Sequence, residues 1–257
     1  MAVYTKSSSI RALFLAHLCI ILLVVSFFAP ITRNLWQWID TAFFTFFNHI
    51  LANAPYLVKV GCAILNHKLT DWGEDIVFIL FISAAIYKTA PEKRLHKTAQ
   101  FIFSIFLAAS IIFFINKMLF HEILEVKRMS PTLSIQNPFR LSHFLSFIKV
   151  KDASSMSFPG DHGTTLLLFC SLYHYFSPSK KLKRFALFYS MFRALPRLVV
   201  GAHWLSDIFV GGAAITLFCL SWALCTPFQY WATKNIENML LWFNKLRKEQ
   251  KTAQHTS

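Results

Sequence analysis

Apolar and polar positions fall along this chain in long blocks, without the two-residue alternation of a half-buried strand. Six apolar blocks reach or approach the roughly 20 residues that an α-helix needs to cross the hydrocarbon of a bilayer. They run from about 10–30, 73–90, 98–119, 161–178, 183–202 and 204–226, and the fourth and fifth are short and interrupted. Between the first two, NLWQWIDTAFFTFFNHILANAPYLVKVGC mixes aromatic and polar residues as a helix lying at the membrane interface does, with Trp36 and Trp38 at headgroup level. The pattern predicts an all-α polytopic membrane protein, a bundle of six transmembrane helices. No internal repeat or Gly/Ser linker divides it, so residues 1–257 are expected to form one membrane-embedded domain with a basic C-terminal tail at about 228–257.

Composition agrees with that picture. Of 257 residues, 55% are hydrophobic, 15% are charged and 28 are Phe, which is too apolar for an ordinary soluble domain. A net charge of +14 could suit nucleic acid, but the basic residues sit in short clusters between apolar runs and form no basic face, so lipid headgroups are the expected neighbours. Cys19, Cys62, Cys170, Cys219 and Cys225 make no CxxC pair, and four lie in apolar runs where Cys acts as a small hydrophobe; neither a disulfide framework nor a zinc site is expected. RALFLAHLCIILLVVSFFAP is as long as a span and no small-residue cleavage site follows it, so it reads as an uncleaved first helix.

Charge then orients the spans, because short Lys/Arg-rich loops stay in the cytoplasm. Lys6 and Arg11 precede the first block; Lys88, Lys93, Arg94 and Lys97 separate the second and third; Lys180, Lys181, Lys183 and Arg184 separate the fourth and fifth; Lys234, Lys245, Arg247, Lys248 and Lys251 follow the sixth. Every second connection is basic, which predicts cytoplasmic termini. The loop at 120–160 is then non-cytoplasmic, yet it holds Lys127, Arg128, Arg140, Lys149 and Lys151 against the topological bias.

Three motifs share that non-cytoplasmic face: VKRMSP (126–131), FPGDHG (158–163) and PRLVVGAHWLSD (196–207). In the third, Arg197, His203 and Asp207 are spaced R-x5-H-x3-D. If 203 onward is helical, His203 and Asp207 are i,i+4 neighbours, and a carboxylate accepting one ring N–H leaves the other nitrogen free as a nucleophile. Attack on phosphorus places charge on equatorial oxygens, which guanidinium forks match, so Arg128 and Arg197 are candidate phosphate clamps. Lys127 adds a point charge, and the turn at Gly160 and Asp161 can bring backbone N–H groups and a helix N-terminus to the phosphate. His162 is the candidate acid for the leaving oxygen.

These motifs resemble the type-2 phosphatidic acid phosphatase superfamily of membrane phosphatases and phosphotransferases, over a catalytic core at about 120–215. Within it, VKRMSPTL, KDASSMSFPGDHGTT and PRLVVGAHWLSDI are similar to the subgroup that moves phosphate from undecaprenyl diphosphate to the 1-phosphate of lipid A in the bacterial inner membrane, with a periplasmic active site. The resemblance implies that His203 is phosphorylated, Asp207 orients it, His162 protonates the leaving group, and Arg128 and Arg197 hold phosphate, with no metal and no cofactor. The chain departs from the superfamily pattern in several places. Its P-S-G-H is Pro159-Gly160-Asp161-His162, Pro196 replaces the serine before Arg197, His121 stands where a lysine precedes Arg128, and Pro131 comes two residues late.

Taken singly, each residue has a plainer reading. Asp207 could favour a helix dipole with His203 as its partner, Arg197 could snorkel, and VKR could be a solvated loop. Their joint placement on one membrane face favours function. A metal site built from His162, His203 and Asp207 leaves the arginines unexplained. His17 and His174 read as structural, and Asn66 and Asp71 as residues shaping substrate access. The alternatives to the transferase are a lipid phosphatase, acting on undecaprenyl diphosphate or a glycerolipid phosphate, and a non-catalytic lipid-binding protein.

Overall fold

Helices begin and end where caps and prolines dictate. The computed structural model describes residues 9–255; Lys6, used above for orientation, lies outside them, as do the side chains of Lys248 and Lys251. Helix α1 (Ile10–Phe28) starts on Ser9, whose hydroxyl accepts the N–H of Ala12 at 3.2 Å. It stops because Ala29 precedes Pro30 and is extended, and Pro30 opens α2 (Pro30–Asn53). Next come α3 (Tyr56–Leu65) and α4 (Lys68–Tyr87). Helix α5 (Arg94–Ser110) runs on into a wide-turn segment, Ile111–Ile123, closed by a bond from Leu124 N to Leu119 O at 2.8 Å. Two single-turn helices, α6 (Pro131–Ser134) and α7 (Leu141–Phe144), interrupt the loop that follows. Helix α8 (Asp161–Phe176) ends just before Ser177-Pro178, and Ser179 caps α9 (Lys180–Val199). A second wide-turn segment, Asp207–Gly212, leads into α10 (Ala213–Cys225), and α11 (Phe228–His255) is the last described element.

Among the described residues, three stretches are long and apolar enough to cross a membrane: Ile10–Phe28, Pro91–Ile123 and Asp207–Cys225. The other three expected spans are helical over α4, α8 and α9, but their character differs. Helix α4 carries Asp71, Glu74 and Asp75, α8 has only 16 residues, and α9 carries Arg193 and Arg197 in addition to its basic start. The stretch expected at the interface also does more than lie there. Helix α2 turns Asp40, Phe44, Asn48 and Leu51 inward at helical spacing, while Trp38 stays exposed.

Helix α8 is the central element, packed on α9, α5 and α10. Phe101, Phe103, Leu168, Leu172, Tyr173, Phe176, Ile215 and Leu220 form the larger core around it. A smaller cluster of Leu51, Ala63, Leu141, Leu145, Val200 and Ala202 lies beneath the loops. Two glycines permit the close approaches that bring the motifs together. Gly201, at φ +79, reverses the chain after α9, and a Cβ there would stand 2.5 Å from Phe44 and 2.7 Å from Thr132. At Gly163 a Cβ would stand 2.6 Å from Ile208, so α8 meets the wide-turn segment as closely as backbone allows.

Candidate active site

The turn released by Gly201 carries Ala202, His203 and Trp204 ahead of the helical segment, so His203 is not on the helix that Asp207 begins. This changes their relation. His203 Nδ1 lies 2.9 Å from the carbonyl oxygen of Ser157 and 3.7 Å from Asp207 Oδ2, so the direct bond is to backbone and the carboxylate stands just behind it. A carbonyl only accepts; Nδ1 therefore carries the hydrogen, and Nε2 keeps its lone pair. Gly160 presses against the ring, since a Cβ there would be 3.4 Å from Nδ1.

Asp207 is fully buried because its oxygens are already engaged. Oδ2 accepts the backbone N–H of Trp204 at 2.8 Å, and Oδ1 accepts Arg128 Nη1. Arg128 also donates from Nη1 to the Ser206 hydroxyl at 2.9 Å and from Nη2 to Asp40 Oδ2 at 2.7 Å. Its guanidinium lies over the rings of Phe27 and Trp204, 5.3 and 5.5 Å from their centroids.

A second cluster gathers His162 and Arg197 between α4, α8 and α9. Arg197, buried near the end of α9, donates from Nη2 to Asp71 Oδ1. Lys151 reaches the other oxygen of Asp71 at 2.9 Å. Burial alone would raise the Asp71 carboxyl, but Arg197 and then Lys151 outweigh it and hold it below the ordinary carboxylate range. One turn before Arg197, Arg193 donates from Nε to Glu74 Oε2 at 2.6 Å and from Nη1 to Leu65 O at 2.9 Å. His162 Nε2 faces Arg193 O at 3.4 Å and Glu74 Oε2 at 3.7 Å, both acceptors, which leaves Nδ1 as the nitrogen open to exchange. Arg193 Nη2 and Arg197 Nε are buried with no hydrogen-bond partner.

Thus Asp207 joins Arg128 by a direct bond and stands 3.7 Å from His203, with Gly160 against the ring, while His162 and Arg197 sit in the adjoining cluster. Lys127 joins neither: its side chain is 75% exposed and pairs with Glu125 at 3.3 Å. The Gly160 N–H, expected for phosphate, is directed at Asp207 O at 3.3 Å. Asp161 accepts instead from Asn116 Nδ2 at 3.0 Å, tying α8 to the wide-turn end of α5. Asn66 is buried and caps its own helix through Cys62 O, whereas Asp71 reaches the Arg197 cluster. Two other basic loop residues have partners, Arg140 on Asp152 and Lys151 on Asp71. Asp40, Glu74 and Arg193 are contributors outside the three motifs, and Ser206, within the third, is one that the sequence reading passed over. The available signal for the first three was an ionisable residue within or beside an apolar run, a functional-site pointer by itself.

Residues 97–232 match the PAP2 superfamily, and the chain belongs to that superfamily of phosphatases and phosphotransferases. It is 33% identical over 207 residues to lipid A 1-diphosphate synthase of Escherichia coli (strain K12), a match that spans 80% of this chain and 83% of that protein. No solved structure matches the chain.

Proposed function

We propose that the protein is a lipid phosphotransferase that moves a phosphoryl group from undecaprenyl diphosphate to the 1-phosphate of lipid A through a phosphohistidine on His203. The observation that carries this reading is the fixed tautomer of His203. Its Nδ1–H is bonded to Ser157 O, so Nε2 presents a lone pair, and Asp207 lies 3.7 Å away where it can stabilise the cationic ring that forms on attack. The relative named above supports the choice of lipid A as acceptor.

In the first step Nε2 of His203 attacks the terminal phosphorus of the donor. The P–N bond forms, the bond to the bridging oxygen breaks, and that oxygen leaves on undecaprenyl phosphate with a proton from His162. Arg128 and Arg197 neutralise the equatorial oxygens. In the second step an oxygen of the lipid A 1-phosphate attacks the phosphohistidine, its proton if present passing to His162, and the P–N electron pair returns to Nε2. The same machinery hydrolyses if water is the acceptor. In this reading the chain is a multi-pass inner-membrane domain with cytoplasmic termini and a periplasmic site, resident among lipid partners and needing no cofactor.

A rapid quench with terminally labelled undecaprenyl diphosphate tests the covalent step. The wild-type protein should retain label in an acid-labile, base-stable bond, and the His203→Ala variant should retain none and lose turnover by at least about 10³-fold. Wild-type turnover in the alanine variant would remove His203 from the mechanism.

A further inference from the structure

The phosphate clamp Arg128 is itself clamped by Asp40, a residue of α2 outside all three motifs. Asp40 is 2% exposed and both its oxygens are used. Oδ1 accepts the backbone N–H of Ser206 at 2.9 Å, and Oδ2 accepts the Ser206 hydroxyl at 2.5 Å and Arg128 Nη2 at 2.7 Å. Ser206 in turn accepts Arg128 Nη1 at 2.9 Å, so one serine and one aspartate close a ring on the end of the guanidinium.

A guanidinium has five N–H bonds. Nη1 commits both of its own, to Ser206 and Asp207, and Nη2 commits one to Asp40. The bonds left are Nε–H and the second Nη2–H, which lie parallel on one edge and form the fork that fits two oxygens of a phosphoryl group. The rings of Phe27 and Trp204 fix the plane, and the three polar partners fix rotation within it.

We infer that Asp40 is a positioning residue that aims the Nε/Nη2 edge of Arg128 at the transferring phosphoryl group, while holding the Ser206 turn that carries Asp207. The assignment rests on the reading of Arg128 as a phosphate ligand. Asp40 also places a second carboxylate beside Arg128, which weakens its general attraction for anions. Its contribution is therefore to orientation in the transition state and not to ground-state affinity.

The test uses the full-length protein in detergent, comparing wild type, Asp40→Asn, Ser206→Ala, Arg128→Ala and the Asp40→Asn/Arg128→Ala double variant. Release or transfer of label from undecaprenyl diphosphate gives kcat and KM, and titration with inorganic phosphate gives affinity. Asp40→Asn keeps an acceptor for the Ser206 N–H and should fold. It should lose about 10- to 100-fold in kcat, with KM and phosphate affinity unchanged or improved. Ser206→Ala should move kcat the same way by less, and the double variant should be no slower than Arg128→Ala. Wild-type kcat in Asp40→Asn, weakened phosphate binding in that variant, or multiplying effects in the double variant would each overturn the inference. Failure of the wild type to turn over undecaprenyl diphosphate would defeat the reaction reading alone, since the phosphate titrations still judge Asp40. A wild type that binds no phosphate would overturn both.

Discussion

Single side chains in this site work through what their neighbours have already taken. His203 is set by a backbone carbonyl and Arg128 by two carboxylates, a hydroxyl and two rings, so conservative changes there are not conservative in effect. Arg128→Lys keeps the charge but has no fork, and it should lower kcat/KM by about 10²- to 10³-fold. Its sequence neighbour Lys127 points to solvent, and Lys127→Ala should stay within about twofold. Steady-state kinetics on both variants distinguishes a site built by geometry from one built by local charge, for which the two losses would be alike. In the sequence, the R-x5-H-x3-D spacing marks Arg197, His203 and Asp207 as candidates, and phosphate chemistry together with the resemblance of the motifs to the superfamily adds Arg128 and His162. Lys127 and Arg128 differ only in which way the chain turns after α5, and no pattern encodes that. Asp40 is hidden for another reason: its partners Arg128 and Ser206 lie 88 and 166 residues away.

At the scale of elements, the site depends on joints between helices. Helix α4 is tied to α9 by the buried Glu74–Arg193 pair and by Asp71 on Arg197. Glu74→Ala leaves a buried guanidinium without its carboxylate and should cost about 3–5 kcal/mol, visible as a lowered unfolding midpoint in detergent. Replacing both residues with apolar ones of similar volume should recover most of that stability and none of the activity. Because the Asp71 carboxyl is held below its ordinary range when folded, its contribution to stability is fully present above the unfolded value, about 3.9. It is lost as pH falls through the lower folded value. The unfolding midpoint should therefore drop on the acid side in wild type and less steeply in Asp71→Asn. At the other joint, Gly201→Ala adds strain at φ +79 and a clash with Phe44 and Thr132. It should destabilise by about 1–3 kcal/mol or more and displace His203. Helix positions were legible from the apolar blocks. The wide-turn segments at Ile111–Ile123 and Asp207–Gly212 were not, because they arise where α5, α8 and α10 must bring side chains together. The inward face of α2 was likewise masked by aromatic residues that suit an interface and a core equally well.

Across the whole molecule, three helices among the described residues are long and apolar enough to cross a membrane, and the chain belongs to the PAP2 superfamily; a site at one membrane face serving lipid substrates is the proposal built on them. Sidedness has its own check. A cysteine placed at the exposed Lys127 should react with a membrane-impermeant maleimide from the periplasmic side of intact spheroplasts, and reaction only after lysis would reverse the orientation. The central claim is transfer between lipids. Purified protein would be given undecaprenyl diphosphate labelled in its terminal phosphate, with and without lipid A, and the label followed. Label appearing on lipid A, with little free phosphate when lipid A is present, is the result the account predicts. Equal release of free phosphate in both reactions, with none on lipid A, would contradict it and make the protein a diphosphatase.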